Sequence, residues 1–234
     1  MRQVPYLVIG AGRMATHFCH YLSLLNLPFI QWARRTHTHR QLESYLELAN
    51  PILLLIKDDE IVSFSKTIFR SDKTFVHFSG QLVLQDVYGA HPLMSFADDL
   101  YSKELYMSVP YILEEGSLPF TVMLPGLPNP YYHIPKSQKS FYHALCVISN
   151  NFTCLLWKKI FDELSKTLGL PVQVAMPYLQ QTFRNIENNP TGKITGPLAR
   201  GDEVTIQKHL EALAKDEFEG IYKAFVNFYR RGHQ

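Results

Sequence analysis

A glycine-rich turn near the start of the chain is the first feature with evident chemistry. Residues 10–15 read Gly-Ala-Gly-Arg-Met-Ala, follow the apolar run 4–9 and open a stretch with helical spacing. In that context Gly10 permits a tight turn, Gly12 lets a phosphate approach the backbone, and Ala15 keeps the helix close to the strand. Free N–H groups and the positive end of the helix dipole then favour an anion. The motif predicts a dinucleotide site, with a purely structural turn as the alternative.

The residues after the second apolar run indicate which dinucleotide binds. Proteins that bind NAD usually carry Asp or Glu about 20 residues after the glycines, where it binds the ribose hydroxyls. Here residues 31–36 read Gln-Trp-Ala-Arg-Arg-Thr and contain no acid. The guanidinium groups of Arg34 and Arg35 suit a 2′-phosphate instead. This pattern predicts NADP as the cofactor, and the alternative is a pair of exposed arginines on a loop.

Charge is unevenly distributed along the chain. The total of 23 Lys+Arg against 21 Asp+Glu gives a net charge of +2, which argues against a nucleic-acid binder. No acid occurs before Glu43, however, and the preceding segment contains five arginines: Arg2, Arg13, Arg34, Arg35 and Arg40. This segregation predicts a local anionic partner, which a phosphorylated dinucleotide would supply, and the alternative is a chance excess of arginines on a solvated face.

Targeting and redox signals are weak. The apolar run 4–9 is too short for a signal peptide, and no stretch approaches the roughly 18 apolar residues of a membrane span. Cys19, Cys146 and Cys154 form no C-x-x-C pair, so neither a disulfide framework nor a zinc site is indicated. We expect a reduced, cytoplasmic protein with no metal and no membrane partner.

Short apolar runs alternate with helical spacing in the first half of the chain. Unbroken apolar strands separated by helices are typical of a parallel sheet covered on both faces. The predicted strands are 4–9, 28–32, 51–56 and 74–78, and the predicted helices are 14–25 and 42–48. Six prolines between 110 and 135 then predict short extended segments, 109–113 and 120–124, at the edge of this domain.

Beyond residue 137 the spacing predicts only helices. Apolar residues recur every three or four positions over 141–168, which indicates one helix of about 30 residues. A second helix is predicted over 177–188, a third after the N-cap Asp202, and a fourth around 218–228. These helices are apolar on more than one side, which favours a homodimer through this half of the chain.

The fold class predicted is therefore α/β, with an N-terminal Rossmann-type parallel sheet followed by an all-helical C-terminal dimerisation domain. The predicted domains are 1–136, which binds NADP, and 137–234, which is helical and contributes to substrate binding and dimerisation.

Five segments carry a resemblance to known families. They are Gly-Ala-Gly-Arg-Met-Ala at 10–15, His-Phe-Ser-Gly at 77–80, Gly-Ala-His-Pro-Leu at 89–93, Tyr-His-Ala at 142–144 with Asn150, and Thr-Gly-Pro-Leu-Ala-Arg-Gly-Asp at 195–202. The N-terminal half resembles the NADP-binding domain of pyrroline-5-carboxylate reductase, prephenate dehydrogenase and the β-hydroxyacid dehydrogenases. The whole chain resembles a group of Rossmann-like NADP oxidoreductases with a helical C-terminal domain of unknown function. This resemblance implies a Rossmann domain, NADP and a dimer, but no substrate. The segment between His91 and Ser137 departs from it, because it lacks the helix expected after the sixth strand.

Polar residues follow three predicted strands, where ligands of open parallel sheets bind. Lys57 and Asp58 are predicted to border the cofactor ribose and to cap the next helix, with capping alone as the alternative for the aspartates, Asp58 and Asp59. Ser79 is a candidate for binding the carboxamide or substrate, or else a plain turn serine. His91 precedes a proline, so its backbone is extended and its ring direction fixed, and prephenate dehydrogenases carry a similar His-Pro pair. It is a candidate for substrate binding or a structural turn residue.

His143 is the strongest candidate for proton transfer. On an α-helix the spacing places His143, Val147 and Asn150 on one face, which in the similar β-hydroxyacid dehydrogenases presents a Lys and an Asn to substrate. An imidazole titrates close to neutral pH and can act as a general acid, while Asn150 would orient a carbonyl. The alternative is a hydrogen-bonded histidine in an interdomain or dimer interface.

These residues together predict an NADP(H)-dependent oxidoreductase that acts on a C=O or C=N group of a small, carboxylated metabolite at a site between the two domains. The alternative is an NADP-binding sensor or interaction module without turnover. The candidate catalytic residues are His143, Asn150, Ser79 and His91. The candidate cofactor residues are Gly10, Ala11, Gly12, Arg13, Met14, Arg34, Arg35, Thr36, Ile56, Lys57, Asp58 and Ser79.

Overall fold

A seven-stranded sheet organises the first part of the chain in the computed structural model, which describes residues 4–192 and 194–232. Its order is β2-β1-β3-β4-β5-β6-β7. The strands are β1 (Tyr6–Ile9), β2 (Phe29–Trp32), β3 (Ile52–Leu54), β4 (Phe75–His77), β5 (Tyr88–Pro92), β6 (Tyr111–Glu114) and β7 (Tyr131–Ile134). Strands β1 to β5 are parallel, whereas β6 is antiparallel to β5 and β7 runs with β6. The predicted α/β class with a mostly parallel sheet is confirmed.

Helices cover both faces of this sheet, which explains why its central strands are apolar throughout. The five helices before residue 136 are α1 (Arg13–Leu24), α2 (His39–Leu48), α3 (Asp58–Ile68), α4 (Lys103–Ser108) and α5 (Phe120–Met123). Along β1, Tyr6 and Val8 pack into one buried cluster with residues of α1, while Leu7 and Ile9 pack into another with residues of α2 and α3. Side chains alternate across a strand, so both faces of β1 must be apolar to fill the two clusters.

The proline-rich segment holds more regular structure than its composition predicts. Residues 120–124 were expected to be extended, but α5 forms there because Pro119 precedes the helix and accepts the first backbone hydrogen bonds, from Val122 (2.9 Å) and Met123 (3.1 Å). Ser102 caps α4 by accepting from the Leu105 N–H at 3.2 Å. The expected lack of a helix in this segment was therefore wrong. Strand β7 was not predicted either.

The helical half follows the predicted spacing closely. Helix α6 (Lys139–Cys146), a π-helical segment (Val147–Phe152) and α7 (Thr153–Lys166) form one continuous helical stretch where a single helix was predicted. The remaining helices are α8 (Met176–Asn188), α9 (Pro197–Arg200), α10 (Glu203–Ala212) and α11 (Glu219–Gly232), with short 3₁₀ turns at Lys136–Gln138 and Val172–Ala175. Asp202 caps α10 as predicted, since its carboxylate accepts from the Thr205 N–H at 3.1 Å.

The chain divides into two compact units, Met1–Lys158 and Lys159–Gln234. The first contains the whole sheet and extends into α7. In the second, Lys159 forms ion pairs with Glu163 (3.0 Å) and Asp216 (2.8 Å). The predicted domain boundary at 136/137 stays a prediction. Across residues 4–192 and 194–232, none of the helices has both the length and the hydropathy of a membrane-spanning segment.

Candidate functional site

A cleft of about 1010 Å³ opens at the carboxyl ends of β1 to β4. Parallel strands end at the same edge of a sheet, so the loops that follow them meet there. All twelve residues predicted to bind the cofactor line this cleft: Gly10, Ala11, Gly12, Arg13, Met14, Arg34, Arg35, Thr36, Ile56, Lys57, Asp58 and Ser79. The structure brings them together, and their role in binding stays a prediction.

The glycine-rich turn has the shape that its residue types predict. Gly10 has φ +138°, a conformation that L side chains rarely adopt, and a Cβ there would overlap the carbonyl oxygen of Leu55. Gly12 is the N-cap of α1, and a Cβ built on it has no protein atom within 4 Å. No side chain caps this helix end, so its first N–H groups have no side-chain acceptor. The turn can accept a phosphate against its backbone.

Three of the five early arginines line the cleft, whereas Arg40 does not and Arg2 lies outside the described residues. Arg13 forms an ion pair with Asp98 at 2.8 Å. One terminal nitrogen of Arg34 lies 3.1 and 3.2 Å from the two carboxylate oxygens of Glu60. Glu60 belongs to the first turn of α3, so the residues that follow β2 do not by themselves predict an acid at this place. The run of three acids at 58–60 was the available signal.

Ser79 and Asp58 both line the cleft and are hydrogen-bonded to each other. The Ser79 hydroxyl donates to Asp58 Oδ2 at 2.5 Å and accepts from the backbone N–H groups of Gln81 (3.3 Å) and Leu82 (3.1 Å). These bonds match the turn-serine alternative for Ser79. Lys57 is the N-cap residue of α3, as predicted, but no side chain caps this helix by a hydrogen bond. The Asp58 carboxylate, predicted to cap it too, accepts from Ser79 instead.

His91 lies inside β5, not after it as predicted, and is hydrogen-bonded to a tyrosine. Its Nδ1 is 2.7 Å from the hydroxyl of Tyr142, and its ring centroid is 5.6 Å from that of His143. Burial, together with the nearby His143 and Lys139, lowers the pKa of His91 to about 4. Burial raises the pKa of Tyr142. The neutral imidazole, which carries a single proton, and the neutral phenol are therefore joined by one hydrogen bond.

His143 packs against the glycine that follows Ser79. A Cβ on Gly80 would overlap the His143 ring, so glycine is required for this approach. Asn150 is exposed and donates to Ser95 Oγ at 3.4 Å. The α-helical spacing assumed for these two residues does not hold, because residues 147–152 are π-helical and a π-helix has a wider turn. Of the candidate catalytic residues, all within the described part of the chain, only Ser79 lines the cleft itself.

Sequence reasoning did not predict the buried ion pair between Lys139 and Glu114. Lys139 Nζ binds a carboxylate oxygen of Glu114, and both side chains are only 3% exposed. Lys139 also donates to the Leu82 carbonyl at 2.5 Å. Burial lowers the pKa of Lys139, against the opposing effect of Glu114. A side chain at Gly89 would collide with both charged groups, so the pair depends on that glycine.

A buried histidine lies beside the same pair. His77 is fully buried in β4, and its Nδ1 accepts from the Ser79 N–H at 3.2 Å. Its Nε2 has no hydrogen-bond partner among the residues that the structure describes. Burial, Lys139 and His91 lower the pKa of His77 to about 3, so the ring is neutral at pH 7.

These two histidines predict that the fold weakens in mild acid. Below the ordinary histidine pKa of about 6.5, the unfolded chain binds protons that folded His77 and His91 do not. The free energy of unfolding should therefore fall between pH 6.5 and 4, by up to about 1.4 kcal/mol per pH unit for each histidine. Urea unfolding at pH 7 and pH 5 measures this slope. His91→Gln should make it shallower and the exposed-site control His39→Gln should not; equal slopes for wild type and His91→Gln would contradict the assignment.

No metal centre accompanies these groups: within residues 4–192 and 194–232, no cluster of three His, Cys, Asp or Glu side chains could hold a metal ion.

Comparison with known proteins gives a family match and several similar folds. Residues 121–227 match the family model described as "Domain of unknown function (DUF2520)". No curated protein matches the chain. The "putative NADP oxidoreductase BF3122" from Bacteroides fragilis is 22% identical with a TM-score of 0.76, over 98% of both chains. Protein TM1727 from Thermotoga maritima is 21% identical with a TM-score of 0.70, over 97% of both chains.

A more distant likeness has a bound nucleotide. Pyrroline carboxylate reductase from Plasmodium falciparum, solved with NADP bound, is 14% identical with a TM-score of 0.60, over 97% of this chain and 96% of that one. The resemblance predicted from the sequence is confirmed by these comparisons. This chain shares with NADP oxidoreductases the fold of a Rossmann-like, mostly parallel sheet followed by helices, and its residues 121–227 are similar to a domain family of unknown function.

Proposed function

We propose that this protein is an NADP(H)-dependent oxidoreductase that acts on a C=O or C=N group of a small, carboxylated metabolite. One observation carries the proposal: the glycine-rich turn and two arginines line the same cleft. The turn follows β1 and the arginines follow β2, the strand that pairs with β1. The names of the neighbours from B. fragilis and P. falciparum support NADP as the cofactor.

The residues of the cleft fit such a cofactor. The open space above Gly12 and the uncapped start of α1 would receive the pyrophosphate. Arg34 and Arg35, with Thr36, would bind the 2′-phosphate, since guanidinium groups form strong charge-assisted hydrogen bonds with phosphate. Ile56 and Lys57, with Asp58 and Ser79, line the part of the cleft that follows β3 and β4. When bound, NADPH supplies the hydride.

The proton required by the reduction would come from the histidines beyond Ser79. His143 is our candidate for the general acid, because its half-buried ring packs on Gly80, directly after a residue of the cleft. His91, held neutral, would support His143 or form a hydrogen bond with the substrate. Asn150 would orient the substrate carbonyl, which requires it to exchange its long bond to Ser95.

A sensor without turnover is the second candidate. The observation that favours it is that the hydroxyl of Ser79 is already engaged within the protein. It donates to Asp58 and accepts hydrogen bonds from two backbone N–H groups. In that function the cleft binds NADP(H), and His77, His91 and His143 serve only to stabilise the fold.

Oxidation of NADPH in the presence of keto acids, imines and semialdehydes distinguishes the two functions. An oxidoreductase should consume NADPH with at least one of these classes. His143→Ala should lower its kcat by roughly 100-fold, the usual contribution of a general acid, with NADPH affinity unchanged. NADPH binding with no turnover across the panel would instead support the sensor. The exposed His39→Ala is the matched control.

We also propose a homodimer formed through the helical half. Large apolar side chains on α8 and α11 are exposed, among them Tyr178 (64%), Phe225 (50%) and Phe228 (73%). Phe225 and Phe228 lie three residues apart on one face of α11, and exposed apolar surface on a helix commonly marks an interface between chains. Light scattering should give twice the chain mass of 27.0 kDa, and a single chain mass at micromolar concentration would contradict the proposal.

A further inference from the structure

An acidic residue lines the cleft beside the two arginines proposed to bind the 2′-phosphate. Glu60 lines the cleft together with Arg34 and Arg35, and both of its oxygens lie within 3.2 Å of one Arg34 nitrogen. The pair is open to water, with side-chain exposures of 69% for Arg34 and 40% for Glu60. Such a pair is weak and can rearrange around a ligand. Arg35 has no ion pair within the described residues, so its charge is available to a ligand.

The position of Glu60 matters because β2 ends without an acid. In dinucleotide sites, a carboxylate at the end of the second strand accepts the ribose hydroxyls of an unphosphorylated cofactor. Here a carboxylate reaches the same region from the first turn of α3, through the contact with Arg34. The cleft therefore contains both an acceptor for a ribose hydroxyl and guanidinium groups for a phosphate.

We propose that Glu60 is a specificity-determining residue of the dinucleotide site. Its carboxylate accepts the adenosine ribose 2′-hydroxyl of NAD(H) and opposes the 2′-phosphate of NADP(H). Arg34 is shared between Glu60 and the phosphate, whereas Arg35 serves the phosphate alone. The site then binds both coenzymes, and Glu60 limits the preference for the phosphorylated one. This inference rests on the proposed function, because it requires the cleft to bind a dinucleotide.

The expected effect follows from charge. Removal of a carboxylate beside a phosphate dianion relieves repulsion and leaves Arg34 free to pair with the phosphate. Removal of the same carboxylate weakens acceptance of a 2′-hydroxyl, because a charged acceptor is replaced by a neutral one. The two coenzymes should therefore respond to one substitution in opposite directions. If the Arg34–Glu60 pair were purely structural, its loss would change the affinities for the two coenzymes equally.

Titration of the nicotinamide fluorescence of NADPH and NADH tests this with wild type and Glu60→Gln. Compared with wild type, Glu60→Gln should bind NADPH roughly five- to tenfold more tightly. It should bind NADH more weakly, by roughly threefold or more. Each sample reports both affinities, so a partly unfolded variant cannot mimic a change in their ratio. High salt should reduce the NADPH effect, since the opposing charges are exposed.

Glu43→Gln is the matched control. It breaks an ion pair of similar exposure, with Arg70 at 2.6 Å, outside the cleft, and should leave both affinities unchanged. If Glu60→Gln leaves the NADH-to-NADPH ratio within twofold of wild type while NADPH still binds, the role of Glu60 is overturned and the proposed function stands. If wild type binds neither coenzyme, both are overturned.

Discussion

Replacement of Lys139 by methionine is expected to lower the free energy of unfolding by about 3–5 kcal/mol. The substitution leaves the Glu114 carboxylate, only 3% exposed, without the cation that now binds it. It also leaves the Leu82 carbonyl without its side-chain donor. A buried charge that has lost its partner cannot regain water, so nearly the whole desolvation cost appears in the measured stability.

A double variant separates the loss of charge pairing from the loss of packing. Lys139→Met/Glu114→Leu removes both charges and should recover most of the lost stability, because well-packed apolar residues often replace a buried ion pair at little cost. Lys223→Met is the surface control, since the Lys223–Glu219 pair lies at the surface and its loss should leave the free energy of unfolding almost unchanged. Urea denaturation measures all three. A loss below about 1 kcal/mol for Lys139→Met, or no recovery in the double variant, would contradict the assignment.

The double variant Arg34→Ala/Arg35→Ala should lose NADPH affinity by about a hundredfold or more. Two charge-assisted hydrogen bonds to the 2′-phosphate are removed, and Glu60 is left unpaired beside that phosphate. NADH, which has only a hydroxyl at this position, should lose a fewfold at most. Titration of nicotinamide fluorescence with each coenzyme gives both values. Arg40→Ala controls for net charge, because Arg40 belongs to the same basic segment but lies outside the cleft. Equal losses for both coenzymes would contradict the assignment of the arginines.

Much of the fold could be predicted because its determinants are local. Strands β1 and β3 are unbroken apolar runs, and each is completely buried between two helical layers. The turn between β1 and α1 is specified by Gly10, whose positive φ only glycine adopts without strain. The cleft followed from these elements, since the loops after parallel strands converge at one edge of the sheet.

The features that could not be predicted depend on contacts between distant segments. Lys139 pairs with Glu114 and Glu60 with Arg34, and 25 or 26 residues separate the partners. Neither pairing follows from periodicity, which reports only which face of an element is apolar. Strand β7 escaped notice because its residues are mostly exposed and it forms an edge of the sheet. The π-helical segment could not be predicted either, because apolar residues recur every three or four positions through it, as they do in an α-helix.

A crystal structure of the protein grown with NADPH would show directly whether the cleft binds the dinucleotide. We predict that the pyrophosphate contacts the backbone of the turn at Gly10 and Gly12, and that the 2′-phosphate contacts Arg35 and Arg34. A dinucleotide bound outside this cleft, or one whose 2′-phosphate points away from both arginines, would contradict the account.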